Sequence, residues 1–242
     1  SLMELTVIVA LAGFIIGAIN VSGLGFNLSL SLVGLAGGNI GILLLIVAAA
    51  GIVLGMGMPT TAVYILLAVL TAPALIQMGI EPLAAHLFIL YYGMMSMITP
   101  PICFAAYAGA AIAGSDSMRT GFAAMRLGAV AYIVPFLLIL SPAMLLMGSA
   151  TEVLQVMITA VAATVLLSVA LVGYLFRELG LARRFLFALA AMGLFIPAQG
   201  QVETLGLISD VAGGVLAAVL LFGEWRRTRV RQLPTPLSPS PD

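Results

Sequence analysis

Gly55-Met56-Gly57-Met58-Pro59-Thr60-Thr61 separates two apolar stretches, and Ile98-Thr99-Pro100-Pro101 cuts through a third. Both breaks remove helical hydrogen bonds, because proline lacks an amide hydrogen and pushes the residue before it out of the α region. Backbone freed in this way cannot face hydrocarbon; at membrane depth it persists only where protein or a watery cavity satisfies it. Paired interruptions of apolar segments are the sequence pattern of an ion and substrate site near the bilayer midplane.

Composition places the breaks in a membrane. The chain is 63% hydrophobic and 7% charged, with a mean hydropathy of +1.25, against roughly 25% charged residues in soluble domains. This is an integral membrane protein whose main surroundings are a lipid bilayer. Net charge is zero and every basic residue is arginine, so nothing points to nucleic acid. Cys103 is the one cysteine and His86 the one histidine, which excludes an intramolecular disulfide and any Cys/His metal cluster. No cofactor is expected. The opening Ser-Leu-Met-Glu-Leu has no charged n-region, cleavage site or initiator methionine and reads as part of a longer polypeptide.

Working outward from the first break, residues 40–54 and 62–78 are apolar and helix-length. Joined by the 55–61 tip, they predict a re-entrant helical hairpin over about 40–78. Upstream, 5–20 is long enough for a tilted span, and 22–38, rich in glycine and serine, suits a short interfacial or bundle-packed segment. Downstream, Glu81-Pro82 starts a unit that runs to Ile98, breaks, and resumes from Ile102, which predicts one discontinuous helix over about 82–113. Gly114-Ser115-Asp116-Ser117 closes it, and 118–126 is a short amphipathic stretch bearing Arg119 and Arg126. A span over 127–146, kinked at Pro135 and Pro142, and another over 153–176, after Glu152, are expected next.

Arg177, Arg183 and Arg184 flank the following loop; 185–196 and 204–222, separated by 197–203, read either as two crossings or as a second hairpin. Trp225 and the cluster Arg226, Arg227, Arg229 and Arg231 predict a cytoplasmic C-terminus. Counting spans back from there puts every arginine inside and brings the 40–78 hairpin in from the external side. Three regions result: 1–148 with hairpin and broken helix, a transmembrane extension over 149–232, and a disordered tail over 233–242.

The chemistry sits at the breaks. Gly55 and Gly57 permit close backbone approach, Pro59 suits the turn before a new helix, and Thr60 and Thr61 supply hydroxyls, with Met56 and Met58 between them. Amides at the start of the helix after Pro59 would attract a carboxylate, and carbonyls near 54–57 would suit a hard cation such as sodium. At the second break Thr99 is expected to N-cap the resumed helix, Ser96 adds an oxygen, and Pro100 and Pro101 leave carbonyls over 95–98 uncapped. No carboxylate lies beside either break, so sodium would be held by neutral oxygens, with Gly55, Gly57, Thr60, Ser96 and Thr99 as the candidates. A packing kink without a ligand stays open at each break.

Elsewhere the residues read as structural. His86 suits an interface or a packed core, and Cys103 behaves as a small apolar residue. Tyr91, Tyr92, Tyr107, Met94, Met95 and Met97 suit packing, and Glu178 a solvated surface. Asp210, inside an apolar segment with Ser209 and Gly213 near it, is the one charge there that invites a functional reading. No HExxH motif or paired aspartate supports an intramembrane enzyme.

The series Gly55-Met56-Gly57-Met58-Pro59-Thr60-Thr61-Ala62, Gly79-Ile80-Glu81-Pro82-Leu83-Ala84-Ala85-His86-Leu87-Phe88, Ile98-Thr99-Pro100-Pro101 and Ala113-Gly114 resembles the second half of the large permease subunit of TRAP transporters, the tripartite ATP-independent periplasmic systems. Pro135, Ser141-Pro142-Ala143 and Gly173-Tyr174-Leu175-Phe176 look like the C-terminal extension of fused permeases that work with TAXI-type binding proteins. The resemblance implies an all-α, elevator-type secondary transporter of two inverted repeats in the bacterial or archaeal inner membrane. Sodium would drive uptake of an organic anion delivered by a periplasmic solute-binding protein. It further implies that 55–61 is the second hairpin tip and 96–101 the break opposite it. The partners implied are the N-terminal half of the permease and a small membrane subunit, fused or separate. The first repeat is not in this sequence, so a full transport cycle is not expected of these residues alone. Two other readings remain: a sodium-coupled dicarboxylate carrier of the wider inverted-hairpin superfamily, and a structural membrane subunit that does not transport.

Overall fold

A computed structural model describes residues 2–195 and 203–231. The tail expected to be disordered and nearly all of the 197–203 linker lie outside the described residues. Among those described, the chain is all helix apart from turns and an isolated bridge between Tyr174 and Glu178. Contacts divide it into two units, Ser1–Ser149 and Ala150–Asp242.

In the first unit, α1 (Leu2–Ser22) turns into α2 (Leu24–Ala36) at Gly23, whose φ of 67° suits glycine. Helix α2 buries Gly25, Ser29, Leu32 and Ala36, one face at helical spacing, so 22–38 is bundle-packed. Then α3 (Ile40–Gly55) starts on Asn39, whose side chain accepts from the Ile42 amide. The apolar arm expected over 62–78 is two helices, α4 (Thr60–Leu70) and α5 (Ala72–Gln77). Pro73 is the reason. It has no amide to offer the Val69 carbonyl, and the chain turns at Thr71, whose hydroxyl donates to Leu67 O at 2.8 Å. A Cβ added at Gly25 of α2 would lie 3.3 Å from that Val69 oxygen.

Helix α6 (Pro82–Met95) starts where proline and a capping acid predict, with the Glu81 carboxylate accepting from the Ala84 amide at 2.9 Å. Helix α7 (Phe104–Ala113) ends on Gly114 at φ 63°, and α8 (Ser117–Leu127) begins on Asp116, which accepts from the Arg119 amide. The expected 127–146 span is not one helix. It is a 3-10 turn at Ala129–Tyr132, a short α9 (Val134–Leu140) and a second 3-10 turn at Pro142–Leu145. Pro135 and Pro142 each stand at the start of an element, where the missing amide costs nothing, and Ser141 between them is extended.

Leu43, Val47, Val63, Leu67, Leu75, Phe88 and Ile89 form the fully buried heart of this unit. Lipid tails are as apolar as these side chains, so what holds such helices together is close packing and interhelical hydrogen bonds.

The second unit consists of α10 (Ala150–Val172), α11 (Leu181–Phe195) and α12 (Glu203–Arg231). Helices α11 and α12 meet backbone to backbone: a Cβ at Gly193 would lie 3.1 Å from Ser209 O, and one at Gly213 3.0 Å from Ala190 O. Arg184 closes the end of α10, donating from Nε to Ala170 O and from Nη2 to Leu171 O, each at 2.8 Å. Among the described residues Ala150–Val172 and Gly206–Glu224 are each long and apolar enough to cross a membrane. Ser117–Leu127 with Ala129–Leu140 qualifies only as a pair bent by 66°.

Candidate functional site

The two proline breaks meet. A Cβ added at Gly51 of α3 would lie 3.0 Å from Tyr92 Cβ, and one at Gly55 would lie 2.6 Å from Ser96 Oγ and 3.0 Å from Gly93 O. Helix α3 therefore runs alongside α6 in the same direction, contributing no side chain of its own at Gly51 and Gly55. Helix α4 comes back the other way. Thr60 Oγ1 donates to Met97 Sδ at 3.7 Å, Val63 occupies the space a Cβ at Gly93 would need, and Tyr64 Oη pairs with His86 Nδ1 at 3.1 Å. The tip between them, 56–59, thus arrives where α6 ends.

Within the tip, Gly57 adopts φ 80° and Met58 N donates to Gly55 O. Pro59 is extended and gives α4 no side-chain cap, so the amides of Thr60, Thr61 and Ala62 point out of the first turn without one. Gly57, Pro59 and Thr61 are exposed, Met56, Met58 and Thr60 half-buried, and Gly55 buried.

In the broken helix, α6 tightens over 96–98 through bonds from Met97 N to Met94 O and from Ile98 N to Met95 O. Buried Ser96 donates to Gly93 O at 2.6 Å. The Pro100-Pro101 peptide is cis. Helix resumes only at Phe104, and Ala105 N reaches back across the gap to Met97 O. Thr99 is not its N-cap. With the new helix starting several residues later, no first-turn amide lies within reach of Thr99. Its hydroxyl instead turns back to Met95 O at 2.6 Å and meets Tyr132 Oη at 2.5 Å. Cys103 stands at the N-cap position and gives the new helix no side-chain cap.

A third segment closes on the break from its other side. A Cβ at Gly121 of α8 would lie 2.7 Å from Cys103 Sγ, and one at Gly128 2.6 Å from Ile98 Cδ1. Tyr107 Oη donates to the Pro101 carbonyl, and Tyr92 Oη donates to Tyr132 O at 2.6 Å. The Gly51–Gly55 spacing was a legible signal for close helix approach. Tyr132 had none, since nothing local ties it to a break 33 residues away.

Thr60, Ser96, Thr99 and Tyr132 bring neutral oxygens to the junction, with the Tyr107 hydroxyl beside them on the Pro101 carbonyl. Among the described residues no group of three or more His, Cys, Asp or Glu could hold a metal ion. Hard neutral oxygens with helix-end backbone suit a cation bound by oxygen, or an anion facing amides, and not a transition metal. A separate cavity of ≈ 280 Å³ between α1 and α4 touches the tip at Met58 and Pro59, but its lining is apolar throughout and offers a carboxylate nothing to hold it.

The remaining candidates lie elsewhere. His86 is packed between α4 and α6 with Tyr64, and Tyr92 stacks near Phe88 and Phe136 with ring centres 4.9 Å and 6.0 Å away. Glu178 is exposed. Asp210 accepts from Gln155 Nε2 at 3.4 Å. Sequence reasoning missed Glu224, which is buried and met by Arg177 Nε at 2.7 Å and by Arg183.

A family model described as "Tripartite ATP-independent periplasmic transporter, DctM component" matches residues 1–153. No curated protein and no solved structure matches.

Proposed function

The chain belongs to the DctM component family of tripartite ATP-independent periplasmic transporters, and from that premise we propose that it supplies half of a sodium and carboxylate site in the membrane permease. It is a multi-pass membrane protein. The 55–61 tip and the 96–101 break form the site's two walls in this reading, with Gly55, Gly57, Thr60, Ser96 and Thr99 around sodium and the amides after Pro59 toward the anion. The observation that carries it is the seating of Gly55 on Ser96 while Thr60 reaches Met97. A mere kink would not need a second broken segment against it.

Length supports a re-entrant hairpin. The 16 residues of α3 and 11 of α4 give about 24 and 16 Å at 1.5 Å per residue, short of the ~30 Å hydrocarbon core. The wider reading follows the family: an elevator-type transporter of two inverted repeats, taking up an organic anion from a periplasmic binding protein, of TAXI type given the C-terminal extension. The other repeat and a small membrane subunit complete it. Trp225 and the arginines after it would face the cytoplasm of a bacterial or archaeal cell.

The test uses the complete permease with its binding protein in proteoliposomes. Thr60→Ala and Thr99→Ala are expected to raise the sodium concentration for half-maximal uptake by about three- to ten-fold, the size of one lost oxygen ligand or hydrogen bond. Sodium dependence unchanged in both variants would overturn the site.

A further inference from the structure

Thr99 has one hydroxyl hydrogen and two lone pairs to place. Met95 O, 2.6 Å away, is a carbonyl and can only accept, so the Thr99 hydrogen goes there. Tyr132 Oη, 2.5 Å from Thr99 Oγ1, must then be the donor of its bond. The protons run in one direction, from Tyr132 to Thr99 to Met95 O, and a single lone pair of Thr99 remains. We infer that Tyr132 is a positioning residue of the break site: its hydroxyl fixes the Thr99 oxygen from the second side and leaves that one lone pair for the cation. This rests on the reading of Thr99 as a cation ligand.

Tyr132 is itself held in place. Its carbonyl accepts from Tyr92 Oη at 2.6 Å, and Tyr92 belongs to the same turn of α6 that packs on Gly51. Its 3-10 turn follows Gly128, which abuts Ile98 because it has no side chain, and Ala131 N donates to Gly128 O at 2.9 Å. A ligand oxygen whose rotamer is fixed by neighbours needs no reordering when the ion arrives. Without the tyrosine hydroxyl, Thr99 keeps its bond to Met95 but loses the anchor that selects among its remaining orientations.

The experiment measures sodium-dependent uptake by the complete permease with its binding protein for Tyr132→Phe, Thr99→Ala and the double variant. Expected for Tyr132→Phe is a rise of about three- to ten-fold in the half-saturating sodium concentration, one hydrogen bond's worth, with the rate at saturating sodium little changed. The double variant should be no worse than Thr99→Ala, because the tyrosine acts through the threonine. A structural role alone would lower the amount of active protein and leave half-saturation where it was. A shift in Thr99→Ala with none in Tyr132→Phe overturns the positioning role and keeps the site; additive shifts overturn it as well. No shift in either removes the Thr99 ligand and this inference with it. If Tyr132→Phe does not reach the membrane, Tyr92→Phe decides: a smaller shift in the same direction supports the inference, and none overturns it.

Discussion

Ser96 and Thr99 are hydroxyls that give their hydrogens to carbonyls one turn back, Gly93 O and Met95 O; Glu224, in the other unit, is a buried carboxylate met by Arg177 and Arg183. Both place polar groups in an apolar protein. The hydroxyls satisfy their donors locally and keep lone pairs over, at neutral charge, so a cation can be received without a fixed counter-ion. The carboxylate spends its oxygens on guanidinium groups. Arg177 takes both of them, at 2.7 and 3.4 Å, and Arg183 shares one, which ties the 173–180 loop and the start of α11 to α12. The first arrangement is suited to binding and the second to holding helix ends together.

The strongest way to break this contrast is to fill the contact between the two breaks. Gly55→Val would drive a side chain into Ser96 Oγ at 2.6 Å with the Gly93 carbonyl at 3.0 Å behind it, and backbone cannot step aside as a flexible side chain can. Overpacking of this kind costs about 1–3 kcal/mol, and sodium-dependent uptake should be lost. Gly109→Ala, where nothing lies within 4 Å, is the control and should transport normally. Wild-type uptake in Gly55→Val would mean that the breaks need not touch.

How much of this was readable follows from the range of each interaction. Pro59, Pro100, Glu81-Pro82 and Gly114 act on their own backbone, so the interruptions at 56–59 and 96–103 and the helix ends beside them were visible in the sequence. Pro73 was equally local, but the strong apolar run around it masked it, and the arm divides at Thr71. Thr99 was misread because N-capping presumes a helix starting at once, and the chain instead stays irregular until Phe104. Tyr132 and Glu224 draw their roles from partners 33 and 47 residues away, which no spacing rule connects.

A second prediction sharpens the other half of the contrast. Glu224→Ala removes a buried acceptor from two arginines whose side chains are 38% and 25% exposed. Both guanidinium groups can turn toward water, so the loss should be nearer that of a charged hydrogen bond, about 2 kcal/mol, than the larger cost of stranding a buried charge. Thermal unfolding of the purified permease should move down while the half-saturating sodium concentration stays put. A change in sodium dependence would show that the knot is coupled to the site.

Asp210 carries the smallest expected effect and the sharpest discrimination. It lies within the Gly206–Glu224 span, its Oδ2 has only the long 3.4 Å bond from Gln155, and its Oδ1 is buried without a hydrogen bond among the described residues. It therefore resembles neither the hydroxyls, which are locally satisfied, nor Glu224, which is doubly paired. A charged side chain at the bilayer centre costs about 2.5–3.5 kcal/mol on insertion scales, less near an interface, and one amide donor returns only about 1 kcal/mol. Asp210→Asn keeps the shape and an oxygen for Gln155 while removing the charge. If the ligand path runs through the first unit alone, uptake should be unchanged and stability should rise by no more than about 1 kcal/mol, read from the same unfolding curve. Loss of uptake with intact folding would place a carboxylate on the transport path and end the division between a neutral binding site and a charged structural one.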